Sequence, residues 1–328
     1  MEMSNTAVNK IGNAIRCGAR DDFLMDRLDV WRKAHGKPMN YYFDLCVALG
    51  ERIDRNNIIV AQRLKRLPTI IDKLGRHQNM LLSRMHDVAG VRMIVKDMVE
   101  LKTAEQVIAR WKNQTKPKDY VNKPKESGYR GEHYIFKKDG MWVELQLRTH
   151  LQHLWATSVE TMDEFLKTSM KSGAYVEGWT EFFCLVSAIF ARMEQTTVMK
   201  KYNKQTTSQL CARLKVLMDE YAIEKKIKTW ALTGPVVERA RRRDAYYFVL
   251  TLEDSLNSAT IGYFNENDYE KAFQEYRDAE TRESGGSSVL VAVSDAKRIR
   301  EAYPNYFVDL NKFVKVIKLF IDRGSQLK

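Results

Sequence analysis

The sequence predicts an α+β protein, with strands and helices mixed in its larger part and a small α+β unit towards its C-terminal end. Three observations carry this. Short β-branched or alternating runs at 58–65, 88–95 and 141–147 are interleaved with stretches of helical spacing. A long helical stretch follows Thr149. Beyond a Gly-Pro turn near 233–235, three more strand-like runs surround one helical segment.

Taken in order, residues 1 to about 57 read as helical packing: Phe23, Leu24, Leu28, Val30 and Trp31 recur at near-helical spacing, and a second apolar stretch covers 41–49. From Asn57 the period changes to that of a strand, because Ile59, Ala61, Arg63 and Lys65 alternate with Ile58, Val60, Gln62 and Leu64. Pro68 stands where a helix can begin, with Ile70, Ile71, Leu74 and Leu81 as its buried stripe. A loop rich in Lys, Pro and Gly fills 116–131, between the runs at 88–95 and 141–147. The helical stretch passes Trp155, Phe165, Trp179, Phe182 and Val186 to roughly Lys225, so this half is an α/β or α+β domain.

After Thr233-Gly-Pro235 and the basic run at 239–243, residues 246–252 and 259–264 read as strands and 268–280 as a helix. A loop at 285–287, a third strand at 288–293 and a helix at 310–321 complete a small domain expected to have its own core. The expected divisions are 1–57, 58–232 and 240–328.

With 328 residues, 44% of them hydrophobic and 29% charged, the chain has the profile of a globular protein of two domains. It has no run of about 18 apolar residues and no apolar segment at its start, so a cytoplasmic protein without membrane contact is expected. Cys17, Cys46, Cys184 and Cys211 have no C-x-x-C spacing, which predicts reduced thiols and no zinc site. The net charge of +12 implies an anionic partner, either phosphorylated nucleotides or a nucleic-acid backbone.

Four blocks carry candidate chemistry. In W-V-E-L-Q-L-R-T at 142–149, strand alternation buries Val143, Leu145 and Leu147 and sets Glu144, Gln146 and Arg148 in one row on the other face, a set suited to metal and phosphate. In K-P-K-E-S-G-Y-R-G-E-H at 123–133, Lys125 and its neighbours can meet phosphates, the glycines admit close backbone approach, and Tyr129 offers a flat surface to a base. At 86–93, Asp87 ahead of a strand is a possible metal ligand, or equally a cap. Asp87 and Arg92 have opposite parity, so either Asp87 precedes the strand or Gly90 marks a bulge. Finally, Arg63 and Lys65 share a strand face, and Lys73 and Arg76 lie at i, i+3 on the following helix. Each block alone reads as well as a solvated surface.

The order of the blocks, R-x-K, K-x-x-R, D-x-x-G-x-R, D-Y-x-x-x-P-K-x-x-G-Y-x-x-x-H and V-E-x-Q-x-R-T, resembles the synthetase domain of the RelA/SpoT family over roughly 57–160. The resemblance implies a nucleotidyltransferase-like fold, a mixed sheet flanked by helices, and an ATP-dependent pyrophosphokinase that moves the β,γ-pyrophosphate to a ribose 3′-hydroxyl. It further implies that Arg63 and Arg92 sandwich the ATP adenine, that Lys65, Lys73 and Arg76 hold the phosphates, and that Asp87 and Glu144 bind Mg²⁺. Glu144 would also take the proton of the attacking hydroxyl. Tyr129 would stack on the acceptor base, and Lys125, His133, Gln146 and Arg148 would line the site.

No His-Asp pair of the family's hydrolase type precedes the synthetase blocks, so product hydrolysis is not expected from this chain. The acceptor loop carries Ser127 and Gly131-Glu132 where guanosine-nucleotide synthetases of the family carry Asn and Ser-Leu. In that it resembles toxic small synthetases, including fused toxin and antitoxin forms of phage defence, some of which modify the 3′ CCA end of tRNA. This implies tRNA as acceptor, docked by Lys116, Lys118, Lys123, Lys200, Lys201 and Lys204, and a C-terminal unit that occludes the nucleotide site until a phage protein binds it. The segment 302–307 reads first as a packed turn. The alternatives are an alarmone synthetase acting on GDP, GTP or adenosine nucleotides, and an inactive RNA-binding module.

Overall fold

The computed structural model describes residues 3–227, 245–252, 259–281, 287–293, 298–303 and 310–324. Three helices open the chain: α1 (Asn5–Arg16), α2 (Asp22–Ala34) and α3 (Gly36–Asp54). Ser4 and Asp21 cap the first two by accepting hydrogen bonds from the backbone N–H groups of Ala7 and Leu24. Val8, Ile11 and Ile15 give α1 a buried stripe at helical spacing, and Met39, Tyr42, Phe43 and Cys46 do the same for α3.

Strand β1 (Ile59–Leu64) leads to α4 (Leu67–Arg76), whose first turn contains Pro68. Ile70 and Leu74 are the buried stripe of α4; Leu81, expected to extend it, lies beyond the helix end. Next come β2 (Ala89–Val95), α5 (Met98–Ile108), the short β3 (Lys118–Asp119), β4 (Glu132–Lys138) and β5 (Met141–Thr149). The sequence reading passes over α5 and β4. Both faces of β4 are covered, so its first five residues are all buried and no alternation of polarity marks it. For α5 a signal existed: Asp97 caps the backbone N–H groups of Val99 and Glu100, and Leu101, Ala104 and Ile108 follow at helical spacing.

Helices α6 (His150–Leu166), α7 (Trp179–Met193) and α8 (Thr207–Glu220) fill the predicted helical stretch, the first and last each opened by a capping box. Strands β6 (Tyr247–Leu252) and β7 (Ala259–Phe264), helix α9 (Tyr269–Thr281), strand β8 (Ser287–Val293), the one-turn α10 (Ile299–Ala302) and α11 (Asn311–Gly324) lie close to their predicted spans. The turn at 233–235, the basic run at 239–243 and most of the 302–307 segment fall outside the described residues.

Among the described residues, eight strands form one sheet in the order β3-β4-β5-β2-β1-β8-β6-β7. β2 and β5 run parallel and the other pairs antiparallel. This corrects the expectation that the C-terminal unit has a core of its own. β8 pairs with β1, setting Ala61 opposite Val293 and Arg63 opposite Val291. One apolar cluster joins Tyr42, Phe43, Val91, Leu145, Tyr247, Phe273, Tyr276 and Leu290 under α3, α5 and α9. The cause is legible in β8 itself: Val289 to Val293 is an apolar run buried on both faces, the mark of an interior strand. On the opposite face, α6, α7, α8 and α11 share a second cluster built on Trp155, Phe182, Phe183, Leu214 and Phe313.

Candidate active site

Residues directly opposite each other in neighbouring strands share a face, so the register decides which side chains meet. On β5, Val143, Leu145 and Leu147 are fully buried, which turns Glu144, Gln146 and Arg148 to the other face. On that face Gln146 lies opposite both Arg92 on β2 and His133 on β4, Glu144 lies opposite Gly90, and Gly90 lies opposite Arg63 on β1. Residues of four strands thus converge. Asp87 precedes β2 and Gly90 keeps regular register on both sides, which resolves the parity conflict without a bulge.

Lys65 extends β1 by one step, its backbone N–H donating to Val88 O at 2.8 Å, and its ammonium lies 3.1 Å from Asp87 Oδ2. Lys73 on α4 reaches Asp87 Oδ1 at 2.7 Å. Burial alone would raise the Asp87 carboxyl, but Lys65 and Lys73 outweigh it and hold the group below the usual range. Burial lowers Lys65 in spite of Asp87.

Glu144 is bound by two neighbours. His133 Nδ1–H donates to Oε1 at 2.9 Å and Gln146 Nε2 to Oε2 at 2.7 Å. These bonds, with Lys73 nearby, overcome the opposing effect of burial and keep the carboxyl well below its ordinary value. Burial lowers His133, so the ring is neutral, with the proton on Nδ1 and Nε2 left to accept from the Tyr129 hydroxyl. Arg148 Nη2 closes the network by donating to Tyr129 Oη at 2.7 Å and to Gln146 Oε1 at 2.8 Å. Tyr129 is therefore only 2% exposed, and its ring is surrounded by Lys125 at 5.1 Å, Arg148 at 5.0 Å and Lys171 at 5.7 Å.

Arg92 is 6% exposed, and burial followed by repulsion from Arg148 pushes it down to about 10. Its Nη1 donates to Ala302 O at 3.4 Å, and its guanidinium lies 6.0 Å from the centre of the Tyr303 ring. Tyr303 is anchored there by a 2.8 Å bond from its hydroxyl to Gln62 O, and α10 by His153 Nε2, 2.8 Å from Glu301 O. Arg76 is the one site candidate that stays apart: it forms a two-bond pair with Asp72 on the exposed side of α4, at 2.7 and 2.9 Å.

Two residues join the site that sequence reasoning missed. Glu160 on α6 pairs with Lys171, and Lys171, Arg63 and Arg92 together hold its carboxyl far below the usual range against the effect of burial. Burial brings Lys171 down to about 8. Glu160 could have been found, because it falls four residues after the buried Ala156, on the apolar side of a predicted helix. No local pattern marks Lys171.

Asp87 and Glu144 act on each other electrostatically across the β2 and β5 ends, and a pair of carboxylates is the hard oxygen set Mg²⁺ accepts beside water and nucleotide phosphates. Among the described residues no group of three or more His, Cys, Asp or Glu could cage a metal alone, so an ion held here would share its shell with substrate.

Residues 62–164 match the family model described as a region found in RelA and SpoT proteins. The chain is 28% identical over 167 residues to an uncharacterized protein of Mycobacterium tuberculosis, covering 48% of this chain and 58% of that one. It is 28% identical over 110 residues to the GTP pyrophosphokinase YjbM of Bacillus subtilis, covering 30% of this chain and 52% of that one. The chain thus spans between half and three fifths of these relatives' lengths. A solved small alarmone synthetase of Bacillus subtilis, bound to pppGpp, aligns with 53% of this chain and 94% of its own at 22% identity and a TM-score of 0.44. Residues 62–164, which hold Asp87, Glu144 and the basic row on one sheet face, are thus the part of the chain that matches the region found in RelA and SpoT proteins.

Proposed function

We propose that the protein is an ATP-dependent pyrophosphokinase that transfers the β,γ-pyrophosphate to a ribose 3′-hydroxyl. The observation that carries this is the convergence of Asp87, Lys65 and Lys73 with Glu144, His133 and Arg148 on one face of the β1, β2, β4 and β5 strands. Lys65 and Lys73 neutralise phosphate charge, and Arg63 and Arg92 hold the purine. Asp87 and Glu144 would hold Mg²⁺, which neutralises charge on the transferring phosphates. The 3′-oxygen forms its bond to the β-phosphorus as the bond from that phosphorus to the α,β-bridging oxygen breaks. AMP leaves with the electron pair, and the hydroxyl proton passes to Glu144. Positioning and charge do most of the work, and no covalent intermediate is needed.

The acceptor we infer is the 3′ end of tRNA, with inhibition of translation as the consequence and phage defence as the setting. The departures at Ser127 and Gly131-Glu132 and the net charge of +12 support this reading. The relative named a GTP pyrophosphokinase favours a guanosine nucleotide as the second reading. Incubating the protein, and a Tyr303→Ala variant that lacks the ring held against Arg92, with γ-³²P-ATP and either bulk tRNA or GDP plus GTP separates them by which acceptor is labelled; no label on either acceptor from either protein refutes the enzyme.

We also propose that the C-terminal region, residues 240–328, restrains the site through Tyr303 until a partner, such as a phage protein, draws that ring away while β6 and β8 stay in the sheet. The contact of Tyr303 with Arg92 supports this, because an aromatic ring on that guanidinium takes the place a purine would need.

A further inference from the structure

The active-site network leaves a separate basic groove unexplained. It has a volume of about 660 Å³, within the range of about 300–1,000 Å³ typical of ligand sites. One wall is the acceptor loop at 122–126 and the other is the segment 197–201 after α7. Lys123, Lys125, Lys200 and Lys201 line it against a single carboxylate, Glu126, while Val198 and Met199 give it a buried apolar wall.

The walls are fixed to each other. Arg130 donates to Thr197 O at 2.6 Å on one side and to Val121 O at 3.0 Å on the other. Ser187 on α7 donates to Gly128 O at 2.6 Å, tying the same loop down. The groove therefore stands ready before any ligand arrives. It borders the reaction centre through Lys125, whose ammonium lies 4.7 Å from the Tyr120 ring and 5.1 Å from the Tyr129 ring.

We propose that this groove binds the sugar-phosphate backbone of a single-stranded RNA end and feeds its terminal nucleotide towards Tyr129. Its use as an acceptor channel rests on the RNA-acceptor reading above. Lysines on both walls can meet backbone phosphates, and the apolar wall suits the face of a base, which is how strand-tracking grooves bind without reading sequence. A free nucleotide needs no such extension past Lys125.

The test is the anisotropy of a fluorescent single-stranded RNA oligonucleotide with a free 3′ end, titrated with the full chain across a salt series. The comparison is the double variant Lys123→Glu, Lys200→Glu. Both lysines are exposed, and a thermal melt with ATP-analogue binding checks that the fold is kept. The variant should bind at least tenfold more weakly. Its log–log salt slope should shrink by about 1.4, at about 0.7 for each phosphate that a lysine no longer neutralises.

Equal affinity and slope in the two proteins overturn the proposal. So does tight binding of polyglutamate with no RNA binding, which assigns the groove to an acidic protein instead. Labelling separates this from the acceptor question. If the wild type binds RNA through these lysines yet labels only guanosine nucleotides, the groove stands as an RNA site and the tRNA-acceptor reading falls. If tRNA is labelled equally well by both proteins, the groove falls and the acceptor reading stands.

Discussion

Tyr303 lies with its ring centre 6.0 Å from the Arg92 guanidinium, and its hydroxyl is bonded to Gln62 O on the neighbouring strand at 2.8 Å. The two contacts hold an aromatic ring against one of the two arginines proposed for the purine. A ligand that binds only the open form loses affinity in proportion to the open fraction. Tyr303→Ala should therefore tighten binding of a non-hydrolysable ATP analogue by about tenfold or more, about 1.4 kcal/mol, in calorimetric titration. Unchanged affinity would show that the ring does not compete with the nucleotide.

Glu144 is kept ionised by His133 and Gln146, so Glu144→Gln removes a charge with little change of shape. Loss of a positioned proton acceptor typically costs about 10²–10⁴-fold in rate. Pyrophosphate transfer should fall by that much while the thermal midpoint stays within a few degrees. Transfer at near wild-type rate would move the chemistry elsewhere.

The Asp87 carboxyl is depressed in the folded state by Lys65 and Lys73. A depressed carboxyl stabilises the fold above its unfolded value, about 3.9, and the contribution is lost as pH falls through the lower folded-state value. The drop in unfolding free energy between neutral and strongly acidic pH should therefore be smaller in Asp87→Asn than in wild type. Urea melts at both pH values measure it, and parallel losses would mean that the pairs contribute nothing.

Arg32 on α2 links the first helices to the C-terminal region. It lies 2.6 Å from Asp29, 3.0 Å from Glu280 and 2.7 Å from the Tyr276 hydroxyl, and it is itself fully buried. Truncating one partner of such a network leaves the other charges unpaired, a loss of about 3–5 kcal/mol. Arg32→Ala should show that loss in denaturant melts, and a change below about 1 kcal/mol would mean that water replaces the side chain.

Much of this site could be read in the sequence because its key residues stand on regular strands. Alternation alone separated Glu144, Gln146 and Arg148 from Val143, Leu145 and Leu147, and the structure keeps that division. Pairings between distant segments were hidden. Nothing local tells Lys171 that it will meet Glu160, or Tyr303 that it will meet Arg92, since both depend on how α6 and α10 settle on the sheet. Arg76 shows the opposite failure, where correct helical spacing placed a residue whose geometry favours its own neighbour Asp72. The expected separate core failed for a related reason: β8 looked like one strand of a small unit, while its partner β1 lies more than two hundred residues earlier.

That pairing has a practical consequence for anyone cutting the chain. Removing everything beyond residue 240 would strip β8 from β1 and turn an interior strand into a raw margin, with unpaired N–H and C=O groups beside apolar side chains such as Ile59 and Val60. Such a fragment would invite self-association, and its toxicity or silence would report on solubility as much as on restraint. Because the nucleotide site and its proposed brake share one sheet, single-residue surgery at Tyr303 can tell them apart where truncation cannot.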